Sequence, residues 1–199
     1  MLLAQQKRKE QRQEEILLSL DNLTYATREQ LQIVNNLKGD RNAHRILHRM
    51  EKDRLISSIR TERKIYFLSN NGKNIIGSNQ GELKKSQIKH TLMRNEMYIK
   101  LGMPVNWQKE VPVRFNEESR YLIPDAMYNQ GNVFTFIEID NKQAMTTNFE
   151  KIKKYSELFK AMYHQYGTHP TLIWYTLSNI RKEKISSACE SSKIKYEVY

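Results

Sequence analysis

Val133-Phe134-Thr135-Phe136-Ile137-Glu138-Ile139-Asp140 is the most regular stretch of the chain. β-branched residues alternate strictly with larger or charged ones, which is the period of a strand. Val133, Thr135, Ile137 and Ile139 point one way, and Phe134, Phe136, Glu138 and Asp140 the other, so both carboxylates share a face. Working outward, Thr147 to Tyr166 has helical spacing through Phe149, Ile152, Tyr155, Phe159, Met162 and Tyr163. Thr171 to Leu177 is a dense apolar strand, Asn179 to Ser191 a helix and Ile194 to Val198 a closing strand. Upstream lie a helix over His90 to Leu101 and strand-like pieces at Val105 to Val113 and Tyr121 to Ile123. Strands separated by helices require crossover connections, so this half is predicted to be α/β with a central mixed sheet.

Its chemistry centres on acids. Pro124-Asp125 precedes Glu138-x-Asp140, and adjacent strands can bring the three carboxylates together. Clustered carboxylates bind a divalent cation, typically Mg²⁺, which lowers the pKa of bound water while a lysine steadies developing charge. This order resembles the core of restriction-endonuclease-like nucleases: Pro-Asp, a spacer, then an acid, any residue and lysine. Two versions fit. In one, Asp140-Asn141-Lys142 is the triplet and Asp125 the first acid. In the other, preferred because Glu138 and Asp140 share a face, the lysine has moved to the next helix as Lys151 or Lys154.

The first half reads differently. Ile16, Leu17, Leu20 and Leu23 form one face of a helix from Gln13 to Leu23. Thr27 with Gln30 has the capping-box spacing for a short helix to about Val34. Gly39 ends that element, and a third helix over Asp40 to Asp53 buries Ala43, Ile46, Leu47 and Met50. Its other surface carries Arg41, Asn42, Arg45, His48, Arg49 and Lys52. Leu55 to Ile59 and Ile65 to Leu68 flank Arg60-Thr61-Glu62-Arg63-Lys64, which predicts a hairpin with a basic tip. Three helices and a hairpin follow the order of a winged helix-turn-helix, whose third helix enters the major groove while the hairpin reaches phosphate or minor groove. Arg28, Arg41, Asn42, Arg45, His48, Arg49, Lys52, Arg63 and Lys64 are the candidate DNA contacts, since these side chains can meet base edges or phosphate. His44 and His48, one turn apart, are read as decoration of that helix and not as zinc ligands.

Composition agrees with this division. The 199 residues hold 33 Lys+Arg against 22 Asp+Glu, a net charge of +11. Residues 1–90 carry +8 of that excess and residues 91–199 the remaining +3. With 39% apolar residues, 7 Gly and 4 Pro, the chain is too hydrophobic for a disordered class. The single Cys189 cannot form an internal disulfide and points to a reducing compartment. No stretch approaches the roughly 18 apolar residues of a membrane span. The expected arrangement is a DNA-binding domain over 1–76, a linker over 77–89 and an α/β domain over 90–199, in a cytoplasmic protein.

The whole order resembles the replication-relaxation family of plasmids and mobile elements. The likeness runs from about Glu14 to Val198 through His90-Thr91-Leu92, Asn95-Glu96, Pro124-Asp125-Ala126, Phe136 to Asp140, and the Lys-Ile-Lys-Lys-Tyr helix. It implies a protein that binds double-stranded DNA and serves replication, relaxation or control of an element's genes. Two alternatives stand beside it. One is a Mg²⁺-dependent endonuclease using Asp125, Glu138 and Asp140 as metal ligands. The other is an interaction module, such as a homodimer, on a degenerate nuclease core.

Overall fold

A computed structural model describes residues 2–114 and 121–199. The chain divides into two compact units, Met1–Lys100 and Leu101–Tyr199.

The first unit opens with α1 (Leu2–Leu23), longer than its apolar face alone indicates. Ile16, Leu17, Leu20 and Leu23 are buried with Leu31, Ala43, Leu47, Met50, Ile56 and Leu68 in one core. Burying each Leu or Ile stabilises by about 1.5–3 kcal/mol, so this face fixes α1 on the unit. β1 (Tyr25–Thr27) leads directly into α2 (Arg28–Val34). The expected capping box closes the junction: Gln30 N donates to Thr27 Oγ1 at 3.2 Å and Thr27 N to Gln30 Oε1 at 3.1 Å. α3 (Asp40–Lys52) buries Ala43, Leu47 and Met50, with Ile46 partly covered. β2 (Ile56–Arg60) and β3 (Lys64–Leu68) form the predicted antiparallel hairpin, and β1 adds to its other edge in the order β1-β3-β2. Three residues are too few for an alternating pattern, so sequence reading missed β1.

The stretch after the hairpin is more structured than a linker. α4 (Asn70–Ile76) starts from Ser69, whose Oγ accepts from Gly72 N at 3.0 Å, and stops at Gly77 in the left-handed conformation. α5 (Lys85–Lys100) begins inside the expected linker, and the helix expected to open the second domain lies in the first unit. The reason is local satisfaction of backbone and apolar groups. Ile88 packs with Tyr25 and Ile65, and buried Asn95 donates to the carbonyls of Leu23 at 3.0 Å and Tyr25 at 2.7 Å.

In the second unit, β4 (Val113–Arg114) pairs with β5 (Tyr121–Leu122), and a mixed sheet runs β6 (Ala126–Gln130), β7 (Val133–Asp140), β8 (Thr171–Thr176), β9 (Tyr196–Val198). β6 and β7 are antiparallel, while β8 and β9 are parallel to their neighbours. α6 (Met145–Tyr166) and α7 (Asn179–Ser191) make the crossovers. Both pack on Phe136, Leu172 and Trp174 through Ile152, Tyr155, Leu158, Ile185 and Cys189. The strand expected over Val105 to Val113 is reduced to one bridge, Gln108 to Met127, and to β4. Pro112 has no N–H to give a ladder, and Val105 is fully exposed.

Gly72 marks the closest approach in the first unit. A Cβ there would lie 2.0 Å from the Leu55 carbonyl oxygen and 3.1 Å from Leu17 Cδ2. Replacing a helical glycine by alanine ordinarily gains about 1 kcal/mol, but here the backbone must move. Gly72→Ala is therefore expected to destabilise by about 1–3 kcal/mol, read as a lower urea midpoint. An unchanged or raised midpoint contradicts the packing of α4 on α1.

Candidate functional site

The alternation of β7 carries Glu138 and Asp140 to the sheet face covered by α6 and α7, where they are 1% and 2% exposed. A buried carboxylate is tolerated only with donors around it, and each finds a separate set. Lys151 Nζ donates to Glu138 Oε2 at 2.6 Å and Tyr155 Oη to Oε1 at 2.7 Å. Asp125, placed by Pro124 just before β6, accepts from Ile139 N at 2.6 Å and acts electrostatically on Glu138, Lys151 and Tyr155. Burial, reinforced by the Asp125 charge, pushes the Glu138 carboxyl up to about 7 despite Lys151 and Tyr155. Burial works to lower Lys151, but the carboxylates of Glu138 and Asp125 outweigh it and raise the ammonium above its usual value. Burial also raises the Tyr155 phenol well above its ordinary range, which keeps it a donor.

Asp140 belongs to a second network. Arg181 grips it through Nε at 2.5 Å and an Nη nitrogen at 2.6 Å, and Asn148 Nδ2 donates at 3.1 Å. The same guanidinium donates to the Gln143 carbonyl at 2.5 Å, and Gln143 holds Asn148 at 3.0 Å. Burial would raise the Asp140 carboxyl, but bonds from Arg181 and Asn148 prevail and hold it below the usual range.

Of the residues predicted for this centre, Asp125, Glu138 and Lys151 come together, and Asp140 sits apart with Arg181. Lys142 and Lys154 are exposed and outside both networks. The donor set does not fit a divalent cation. Both oxygens of Glu138 and both of Asp140 are committed to protein donors, and no three acidic, histidine or cysteine groups are arranged for a metal among the described residues. Sequence reading placed Tyr155 in the core by its spacing and gave no role to Asn148 or Arg181. The signal for Arg181 is faint: an arginine in the first turn of α7, where Ser178 caps the helix.

The first unit offers a second candidate surface. Arg41, Arg45, His48, Arg49 and Lys52 are exposed on α3, and Arg63 is exposed at the hairpin tip. Other predicted contacts are engaged within the unit. Asn42 donates to the Leu37 carbonyl at 2.8 Å and accepts from Arg45 at 2.9 Å. Arg28 pairs with Glu29 at 3.1 Å, with Asp40 at 4.0 Å, and Lys64 pairs with Glu51 at 2.6 Å. Lys9 and Arg12 of α1 line a small groove with Arg45 and Arg49, extending the cationic surface onto a helix whose amino-terminal half was not anticipated.

A family model described as replication-relaxation matches residues 17–172, from α1 to β8. No curated protein and no solved structure matches the chain.

Glu138 links this centre to stability. Its proton is held more tightly in the folded chain than in the unfolded one, where the value is near 4.5. The gain is complete below that value and is lost as pH rises to about 7, at roughly 1.4 kcal/mol per unit. Glu138→Gln lacks this titration, so its stability relative to the parent is expected to rise by up to about 3 kcal/mol between about pH 4 and pH 8. Urea unfolding at both pH values reads the difference, and a pH-independent difference rejects the assignment.

Proposed function

We propose that this chain, which belongs to the replication-relaxation family, binds double-stranded DNA in the replication of a plasmid or mobile element or the control of its genes. In this reading the first unit is a winged helix-turn-helix. α3 enters the major groove, and the β2–β3 tip meets phosphate or the minor groove. The observation that carries it is the exposure of cations in that unit: Lys64 is held by Glu51 and Arg28 by Glu29, whereas Arg41, Arg45, Arg49 and Lys52 are exposed in one row, with a 4.0 Å pair from Arg49 to Asp53 and a bond from Arg45 to Asn42 among them. Lys9 and Arg12 beside that row give the phosphate backbone a broader footing.

The second unit, read as a restriction-endonuclease-like scaffold, supports binding better than Mg²⁺-dependent cleavage. Cleavage needs carboxylate oxygens open to metal and water, and those of Glu138 and Asp140 are taken by Lys151, Tyr155, Arg181 and Asn148. Mg²⁺-dependent nicking of supercoiled plasmid that vanishes in Asp140→Ala would restore the nuclease reading. No helix of the described residues is long and apolar enough to cross a membrane, which agrees with a place beside DNA in the cytoplasm.

Duplex binding by R45A combined with R49A tests the main reading at fixed salt. The pair is expected to weaken affinity at least tenfold and to reduce the slope of log affinity against log salt by about 1.8, at roughly 0.9 per phosphate contact. Unchanged affinity and slope would reject α3 as the DNA-facing helix.

A further inference from the structure

The second unit holds a recess that neither acid network nor the α3 surface uses. It has a volume of about 410 Å³ and opens between the end of α6, the turn before β8 and the segment joining α7 to β9. Lys160, Lys193 and Lys195 stand around it, and Phe159 and Tyr163 form an aromatic wall. No acidic side chain lines it among the described residues. Tyr163 stacks on His169, with ring centroids 4.5 Å apart and an angle of 20° between the planes, and both residues are exposed. Ser156 donates to the Ser192 carbonyl at 3.1 Å, which ties the α7–β9 segment to α6 and fixes the rim. Lys193 itself has φ of 53° just after the α7 cap, a conformation that glycine adopts at lower cost.

We infer that this recess binds a nucleotide unit of single-stranded DNA, with its base on the Tyr163–His169 pair and its phosphates on Lys160, Lys193 and Lys195. Aromatic platforms beside cationic rims suit unpaired strands, because every base has a flat face and the backbone is anionic. A duplex hides those faces in its own stack. The volume admits a group of nucleotide size, and the charged side chains among its described lining residues are lysines. The inference goes beyond the duplex reading and places a different DNA form on a different unit.

The test uses the full chain and a labelled oligothymidylate. Tyr163→Ala is expected to weaken oligothymidylate binding about tenfold, the range for one stacked base. Lys193→Gln with Lys195→Gln is expected to weaken it similarly and to lower the salt slope by about 1.4, at roughly 0.7 per phosphate on single strands. Neither set should change duplex affinity more than twofold, whereas R45A with R49A should act on the duplex. These side chains are exposed, and thermal melting confirms that each variant folds. Oligothymidylate affinity unmoved by both sets overturns the proposal, as does competition by thymidine monophosphate at equal nucleotide concentration. Failure of the α3 variants to affect duplex binding would count against the duplex reading alone.

Discussion

Two carboxylates stand two residues apart on the inner face of β7, nearly without solvent. An unpaired charge in such a place costs several kcal/mol, and removing one partner of a buried pair costs about 3–5 kcal/mol. The second unit is organised to meet that demand. α6 must run with Asn148, Lys151 and Tyr155 toward the strand, and α7 must begin where Arg181 reaches Asp140. Apolar packing of Phe136, Leu172 and Trp174 would admit several rotations of these helices. The acids narrow them, because each rotation that buries the same leucines would strand a carboxylate.

Much of this unit was readable because its elements have clean periods. β7, β8, α6 and α7 lie close to their expected spans, since strict alternation and a long apolar helix face leave few competing assignments. β6 was missed: Ala126-Met127-Tyr128-Asn129-Gln130 has no alternating signature, and it is a strand because β7 offers it an edge. The site was half legible. Periodicity placed Glu138 and Asp140 on one face, but nothing local says that a residue 41 positions away takes both oxygens of Asp140. The choice among Lys142, Lys151 and Lys154 needed the helix rotation, which puts Lys151 inward and leaves Lys154 exposed.

In the first unit the local signals were stronger and the long-range ones weaker. The capping box at Thr27, the face of α3 and the basic hairpin lie where short-range chemistry put them. The boundary moved because of Asn95. Its amide satisfies two carbonyls at the junction of α1 and β1, about 70 residues earlier, and so binds α5 to the first unit. The glycine-containing polar run over 77–89 looked like a linker by composition, yet α5 begins within it at Lys85.

The same demand for partners separates the cations into two kinds. Lys151 and Arg181 answer buried acids, and they are as much a part of the core as Tyr155. Arg45, Arg49, Lys160, Lys193 and Lys195 are exposed and have side chains whose stems pack while their charged heads meet water. Ion pairs at such exposed sites contribute about 0–1 kcal/mol, so stability gives little reason for their arrangement. A polyanion does, because each phosphate neutralised releases counterions and adds directly to affinity. Net charge therefore describes this chain poorly: the second unit is almost balanced in total, but Glu138 and Asp140 are buried beneath α6 and α7, most of its other described acids are exposed, and three of its lysines stand around a recess with no acid among its described lining residues. A polyanion approaching that recess meets Lys160, Lys193 and Lys195 at its lining, whereas Lys151 and Arg181 are already matched by Glu138 and Asp140.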